Sequence, residues 1–111
     1  MNTRRAAVIV MLVTLISLAP VVHHEFTTWD DNYNIVDNPH VNPPSVDGLK
    51  YLWTHEWMHL WVPATYTAWV ALAAAGYRAG EVGADALNPW LFHAANLLIH
   101  LGAALATLHL L

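Results

Sequence analysis

Apolar and polar positions divide this 111-residue chain into three parts. Residues 6–22 carry no charged side chain, and residues 90–111 contain no acidic residue, lysine or arginine. A membrane-spanning helix needs roughly 20 consecutive, mostly apolar residues. The pattern therefore predicts an all-α membrane protein with two transmembrane helices, at about 6–22 and 89–111, joined by an outer loop over residues 23–88.

The first apolar stretch has two interpretations, because Arg4 and Arg5 precede it as they would precede either a spanning helix or a cleaved signal peptide. The stretch is longer than the apolar region of a typical signal peptide, and the Ala-Pro-Val sequence at 19–21 is a poor cleavage site, so an uncleaved helix is favoured. Cytoplasmic segments are enriched in Lys and Arg. The two arginines therefore predict a cytoplasmic N-terminus and a periplasmic, extracellular or lumenal location for residues 23–88.

Composition supports a membrane protein and argues against several other classes. Hydrophobic residues make up 57% of the chain and charged residues only 11%, which leaves too little charge to cover a soluble globule of this size. Because cysteine is absent, the chain has neither a disulfide framework nor a thiol-based metal or nucleophile site. A formal charge of −4 and the lack of a basic run argue against a nucleic acid partner.

The loop between the spans is predicted to contain one or two helices that lie in the membrane interface. Asn-Pro and Pro-Pro pairs predict irregular structure over residues 32–45. Ser45 is then the expected N-cap of a helix with Asp47 in its first turn. Pro63 is expected to end this helix, and residues 64–77 to form a second one that is too short to span.

Three tryptophans mark one face of the first loop helix. Trp53, Trp57 and Trp61 recur at intervals of four, which keeps them on one slowly drifting helical face. Such a stripe beside a membrane indicates an interfacial amphipathic helix with its indoles at headgroup depth. Packing of the stripe on other protein is the alternative.

The second predicted span carries polar side chains at helical spacing. Asn88 and Pro89 are typical of a helix start, and His93, Asn96 and His100 then share one face. Ionisable groups inside a membrane should face protein or a water-filled cavity. A functional role and hydrogen bonding to further spans remain as alternatives for this face.

His55, Glu56 and His59 match the H-E-x-x-H pattern of zinc proteases. That chemistry needs both imidazoles on one helical turn, a third ligand and the glutamate as base for a zinc-bound water. The predicted loop helix places both histidines on one face, but eight histidines make a chance match easy. No zinc site is assigned, and the match is treated as a decoy.

An acidic pair follows the first apolar stretch. Asp30 and Asp31 lie side by side after Trp29. Adjacent carboxylates raise each other's pKa unless a cation, a donor or water intervenes, so such a pair is a candidate for chemistry. The alternative is a solvated polar cap at the end of a helix.

Taken together, the short motifs of the chain resemble the start of the polytopic membrane glycosyltransferases of the GT-C class. The closest branch is the transmembrane and tetratricopeptide-repeat O-mannosyltransferase-like proteins with their bacterial relatives. The motifs that carry the resemblance are, in order, Trp29-Asp30-Asp31, Asn38-Pro39, Gly48-Leu49 with Trp53, Pro63-Ala64-Thr65-Tyr66-Thr67, Asn88-Pro89, His93-x-x-Asn96 and Leu98-Ile99-His100.

The resemblance implies sugar transfer from a polyprenyl-phosphate donor to a protein hydroxyl on the outer face of the membrane. It implies that Asp30 and Asp31 act as general base on the acceptor, or orient the donor phosphate through a divalent metal or basic groups. The partners would be membrane lipid, the lipid-linked sugar donor and a protein acceptor. Residues that would contact substrate or support the acidic pair are Trp29, Asn38, His93, Asn96 and His100.

Members of this class usually have many more spans, often followed by a repeat domain. Two spans cannot enclose a lipid-linked donor and a protein acceptor, so residues 1–111 are expected to be a single partial membrane domain, the N-terminal fragment of a transferase. The alternative function is a non-catalytic two-span membrane protein or subunit. A zinc membrane protease is the third interpretation.

Overall fold

The computed structural model describes residues 3–110, and their regular structure is entirely helical. These residues form two compact units, one from the segments up to His24 and from Pro89 onward, and one from Glu25–Asn88. We call them the membrane unit and the loop unit. The α-helices are α1 (Thr3–Leu18), α2 (Val46–Thr54), α3 (Pro63–Gly76) and α4 (Pro89–Leu110). The shorter helical turns are Ala19–His23 and Gly83–Ala86, both 3₁₀, and Asn32–Val36, a π turn.

The membrane unit consists of α1, the 3₁₀ turn that continues it, and α4. The change from α to 3₁₀ at Ala19 coincides with Pro20, which lacks an N–H and clashes with the carbonyl four residues before it. Thr3–His23 and Pro89–Leu110 are both long and apolar enough to cross a membrane. The prediction of two such helices is confirmed, and the chain is compatible with an integral membrane protein.

The loop unit begins its first α-helix where the sequence predicts. Ser45 has an extended backbone, and its Oγ accepts a hydrogen bond of 2.9 Å from the Gly48 N–H, which satisfies one of the unpaired donors of the first turn. Asp47 lies in that turn, where the helix dipole favours negative charge. The predicted N-terminus of α2 is confirmed.

The predicted length of α2 is wrong. The helix ends at Thr54, so Trp53 lies on it whereas Trp57 and Trp61 lie beyond its end. The Thr54 hydroxyl bonds back to the carbonyl of Lys50 at 3.0 Å, a local competitor of helical bonding. The tryptophans therefore do not form a stripe on one helix.

Proline at position 63 starts a helix rather than ending one. Pro63 occupies the first turn of α3, where its missing N–H costs no helical hydrogen bond. Residues Tyr66, Val70 and Ala73 form the buried face of α3 at spacings of four and three. The second loop helix, predicted over 64–77, is confirmed as Pro63–Gly76.

The core of the loop unit joins segments that are distant in sequence. Residues 32–45, predicted to be irregular, contain the π turn Asn32–Val36, whose Ile35 and Val36 are buried. Asn38 is completely buried, and among residues 3–110 it is the only buried residue of polar or charged type. The buried residues of the unit are Ile35, Val36, Asn38, Val41, Gly48, Leu52, Tyr66, Val70, Ala73, Ala86 and Leu87.

Candidate functional site

The adjacent carboxylates of Asp30 and Asp31 have different environments. Asp31 Oδ2 accepts hydrogen bonds from the Thr27 N–H at 2.9 Å and from the Thr27 hydroxyl at 3.2 Å. Two donors on one carboxylate oxygen hold that side chain in a defined position. Asp31 therefore closes the turn over residues 27–31, near the start of the loop unit.

Asp30, by contrast, presents an exposed carboxylate. Within residues 3–110 no hydrogen bond or ion pair reaches its side-chain oxygens, although its carbonyl accepts from Asn34 Nδ2 at 3.1 Å. The neighbouring Trp29 is 79% exposed. The motif therefore consists of a fixed backbone, one tethered acid, one accessible acid and an accessible indole.

Asn34 connects this backbone to the core and was not singled out by the sequence. Its Nδ2 donates to the Asp30 carbonyl, and its Oδ1 accepts a 3.3 Å hydrogen bond from the Tyr66 hydroxyl. A tyrosine with the ordinary pKa of 10.0 is already protonated at neutral pH, and burial raises the pKa of Tyr66 further, so its hydroxyl acts as a donor. Nothing in the sequence indicated this link, because the two partners are 32 positions apart.

Asn38, expected to contact substrate or support the acidic pair, lies inside the protein. Its Nδ2 donates to the Asn34 carbonyl at 3.1 Å, and its Oδ1 accepts from the His40 N–H at 2.9 Å. Both ends of the amide are satisfied by neighbouring backbone, as a buried amide requires. In this position Asn38 supports the loop that carries the acidic pair.

The H-E-x-x-H segment is not helical, which corrects the placement of both histidines on one helical face. His55 is the extended residue that follows α2, and His59 has a positive φ of 62° in a turn. The His55 ring stacks on Tyr51 with centroids 4.3 Å apart, and Tyr51 stacks in turn on His40 at 3.8 Å. Glu56 is exposed. Among residues 3–110, no group of three His, Cys, Asp or Glu residues is arranged to hold a metal ion.

His40, which the sequence did not single out, contacts two aromatic rings and is partly buried. Besides stacking on Tyr51, it meets Trp57 edge-on with ring centroids 5.4 Å apart. Burial lowers the pKa of His40 below its ordinary value of 6.5, and the nearby His55 lowers it further. The histidine is therefore biased towards its neutral form.

The polar face of α4 lines an open cleft within the membrane unit. His93, Asn96 and His100 contribute to its wall, together with Leu18 and Val21. The cleft has a volume of about 240 Å³. The prediction that these three polar residues share one face is confirmed, and the face meets a space large enough for several water molecules or a small polar group.

Chemically, Asp30 is suited to accept a proton from a hydroxyl group brought to the surface of the loop unit, because its oxygens are accessible. Comparison of this chain with protein-family models, with curated proteins and with solved structures finds no match. What the chain does must therefore be inferred from its own residues.

Proposed function

We propose that residues 1–111 form the N-terminal membrane part of a GT-C-like glycosyltransferase that uses a polyprenyl-phosphate sugar to O-glycosylate protein. The observation that carries the proposal is the accessible Asp30 beside the tethered Asp31, shortly after an apolar helix long enough to span a membrane. The order of the motifs along the chain supports it. Asp30 and Asp31 would act on the periplasmic, extracellular or lumenal side.

In this proposal the two carboxylates have different roles. Asp30 accepts the proton of the acceptor hydroxyl as its oxygen attacks the anomeric carbon of the sugar. The bond between that carbon and the phosphate oxygen breaks, and the polyprenyl phosphate leaves with the bonding electrons. Asp31 positions the motif through its hydrogen bonds to Thr27. The alternative role for the pair is to orient the donor phosphate through a divalent cation.

The remaining candidates have supporting roles. Trp29 offers an exposed ring on which a sugar or isoprenoid could pack. His93, Asn96 and His100 supply hydrogen-bonding groups to the cleft of the membrane unit. Completing the donor and acceptor sites would require further spans.

The test is transfer activity of the full-length protein in membranes, with a polyprenyl-phosphate sugar as donor. Asp30→Asn should lower the rate by about 10²–10⁴-fold, the usual contribution of a general base. Asp31→Asn should lower it less, because an amide oxygen still accepts from Thr27. Asp37→Asn removes another exposed carboxylate of the same segment and should leave the rate unchanged.

Full activity of Asp30→Asn would contradict the assignment of Asp30 as base. Equal and complete loss in both variants, restored by a divalent cation, would support the donor-orienting role instead. If the wild-type protein transfers no sugar from any polyprenyl-phosphate donor, a non-catalytic two-span membrane protein becomes the better interpretation.

A further inference from the structure

A tight turn between α2 and α3 has an unusual backbone. Trp57 and Leu60 exchange two backbone hydrogen bonds, of 2.9 and 2.8 Å, and enclose Met58 and His59. These two residues have positive φ angles of 51° and 62°. Positive φ at both central positions defines a type I′ turn, which strongly prefers asparagine, aspartate and glycine. Met58 therefore occupies a strained position that favours small polar residues.

This strained turn carries part of an exposed apolar surface. The large side chains of this surface are each partly exposed, from 37% for Val62 to 58% for Trp61. We call this surface the apolar tip, which consists of Trp53, Met58, Leu60, Trp61 and Val62. Single apolar residues are normal on a protein surface, whereas exposed apolar side chains clustered in one segment are a candidate interaction site. Four of these five residues lie within residues 58–62, and the Trp61 indole bonds to the Trp53 carbonyl.

The indole N–H groups of the tip are already bonded within the loop unit. Trp53 Nε1 donates to the Thr67 hydroxyl at 3.0 Å, and Trp61 Nε1 donates to the Trp53 carbonyl at 3.3 Å. Neither indole needs water as an acceptor, so their exposed ring surfaces can enter an apolar environment without losing a hydrogen bond.

The setting of the tip in the chain indicates what it contacts. The loop unit is connected at both of its ends to helices long and apolar enough to span a membrane, so a bilayer would be held close to it at all times. Tryptophan is enriched at the interface of bilayers. Within residues 53–62 the only charged side chain apart from histidine is Glu56, so attraction to anionic lipids does not contribute.

We propose that the apolar tip inserts into the interfacial layer of the membrane in which α1 and α4 are embedded. The contact is made by a strained turn and the adjacent ends of two helices, not by an amphipathic helix. It fixes how the loop unit is held against the lipid surface. The inference rests on the membrane insertion assumed in the proposed function and is independent of whether the protein transfers sugar.

The experiment uses the absence of cysteine from the chain. Single variants Met58→Cys and Leu60→Cys are labelled with an environment-sensitive nitrobenzoxadiazole probe in the full-length protein, reconstituted in phosphatidylcholine vesicles. Val82→Cys is the matched control, since Val82 is an exposed apolar residue outside the tip. The labels at 58 and 60 should emit at shorter wavelength than the control and be quenched by lipids carrying a shallow nitroxide, whereas iodide should quench the control.

Three results would overturn the proposal. Iodide quenching at 58 and 60 equal to that at 82 would place the tip in water. Protection from both iodide and the nitroxide lipid would show that protein covers it. Adding phosphatidylserine should leave the quenching unchanged, and a marked increase in lipid quenching would mean electrostatic adsorption instead of apolar insertion.

A second variant tests the part played by Met58 without disturbing the turn. Met58→Asn with His59→Gly introduces residues that type I′ turns prefer, so the turn should be retained. The probe at Leu60→Cys in this background should become more accessible to iodide, because one apolar anchor is lost. Unchanged accessibility would contradict insertion through the turn. Neither measurement depends on transferase activity, so failure here and failure of the proposed reaction are distinguishable.

Discussion

Substituting Gly48 by alanine should destabilise the loop unit, although alanine is the better helix former. Gly48 is buried in the first turn of α2. A Cβ at this position would lie 2.9 Å from His40 Cα and 3.0 Å from its carbonyl carbon, and still closer to its carbonyl oxygen. All three are backbone atoms. The collision can therefore be relieved only by moving the backbone at His40 and helix α2 apart.

The backbone at His40 is not easily moved. The His40 N–H is bonded to Asn38 Oδ1 at 2.9 Å, and the Val41 N–H to the Asn38 carbonyl at 3.0 Å. Overpacking of a fixed interior costs about 1–3 kcal/mol. Alanine regains about 1 kcal/mol of helix propensity over glycine. Because the contacts are with backbone, the upper part of the overpacking range applies, and the net loss should be about 1–2 kcal/mol.

The measurement is thermal unfolding of the purified protein in detergent micelles, followed by tryptophan fluorescence. Trp57 packs edge-on against His40 and donates to the Tyr33 carbonyl at 2.8 Å, so one of the six tryptophans that contribute to the emission lies in this region. The midpoint should fall by roughly 4–8 °C for each kcal/mol lost. Gly102→Ala in α4, where an added Cβ meets nothing within 4 Å, should not lower it. A Gly48→Ala protein as stable as the wild type would refute the reasoning.

Two further predictions concern the polar interior of the loop unit. Asn38→Ala should cost about 1–3 kcal/mol in chemical denaturation, because the Asn34 carbonyl and His40 N–H lose their partner; Asn32→Ala, whose side chain makes no hydrogen bond among residues 3–110, should cost less, and equal costs would contradict the role of Asn38. Since folding lowers the pKa of His40 from 6.5, the unfolded protein binds a proton at this residue at a higher pH than the folded protein does. Stability present above pH 6.5 should therefore decline on acidification towards the folded pKa, and His40→Gln should flatten the dependence of the unfolding midpoint on pH. An unchanged slope in that variant would assign the effect to other groups.

Helix starts and apolar helices were predictable because their causes are local. The cap at Ser45 depends on residues within one turn, and the two long apolar helices depend only on length and on the absence of charge. The shared polar face of α4 follows from helical spacing alone. Membrane orientation and the sugar-transfer reaction remain predictions.

The acidic pair could be located from the sequence but its two members could not be distinguished. Adjacent aspartates look equivalent until the fold brings the Thr27 N–H and hydroxyl onto Asp31 and leaves Asp30 exposed. Likewise, Asn38 reads as part of an Asn-Pro turn, and only the packed unit shows that it is buried. These distinctions depend on burial and on which donors meet which acceptors.

The sequence by itself therefore determined a chain of two membrane-compatible helices around a polar segment, the start of α2 and the presence of α3. Only the tertiary structure decided the position of Trp57, because its indole N–H bonds to the Tyr33 carbonyl, 24 positions away. A four-residue period cannot encode such contacts, since it describes neighbours along a helix and not the partners that the fold supplies. In place of the predicted tryptophan stripe, Trp57 is bonded to Tyr33, and Trp53 and Trp61 belong to the exposed apolar tip.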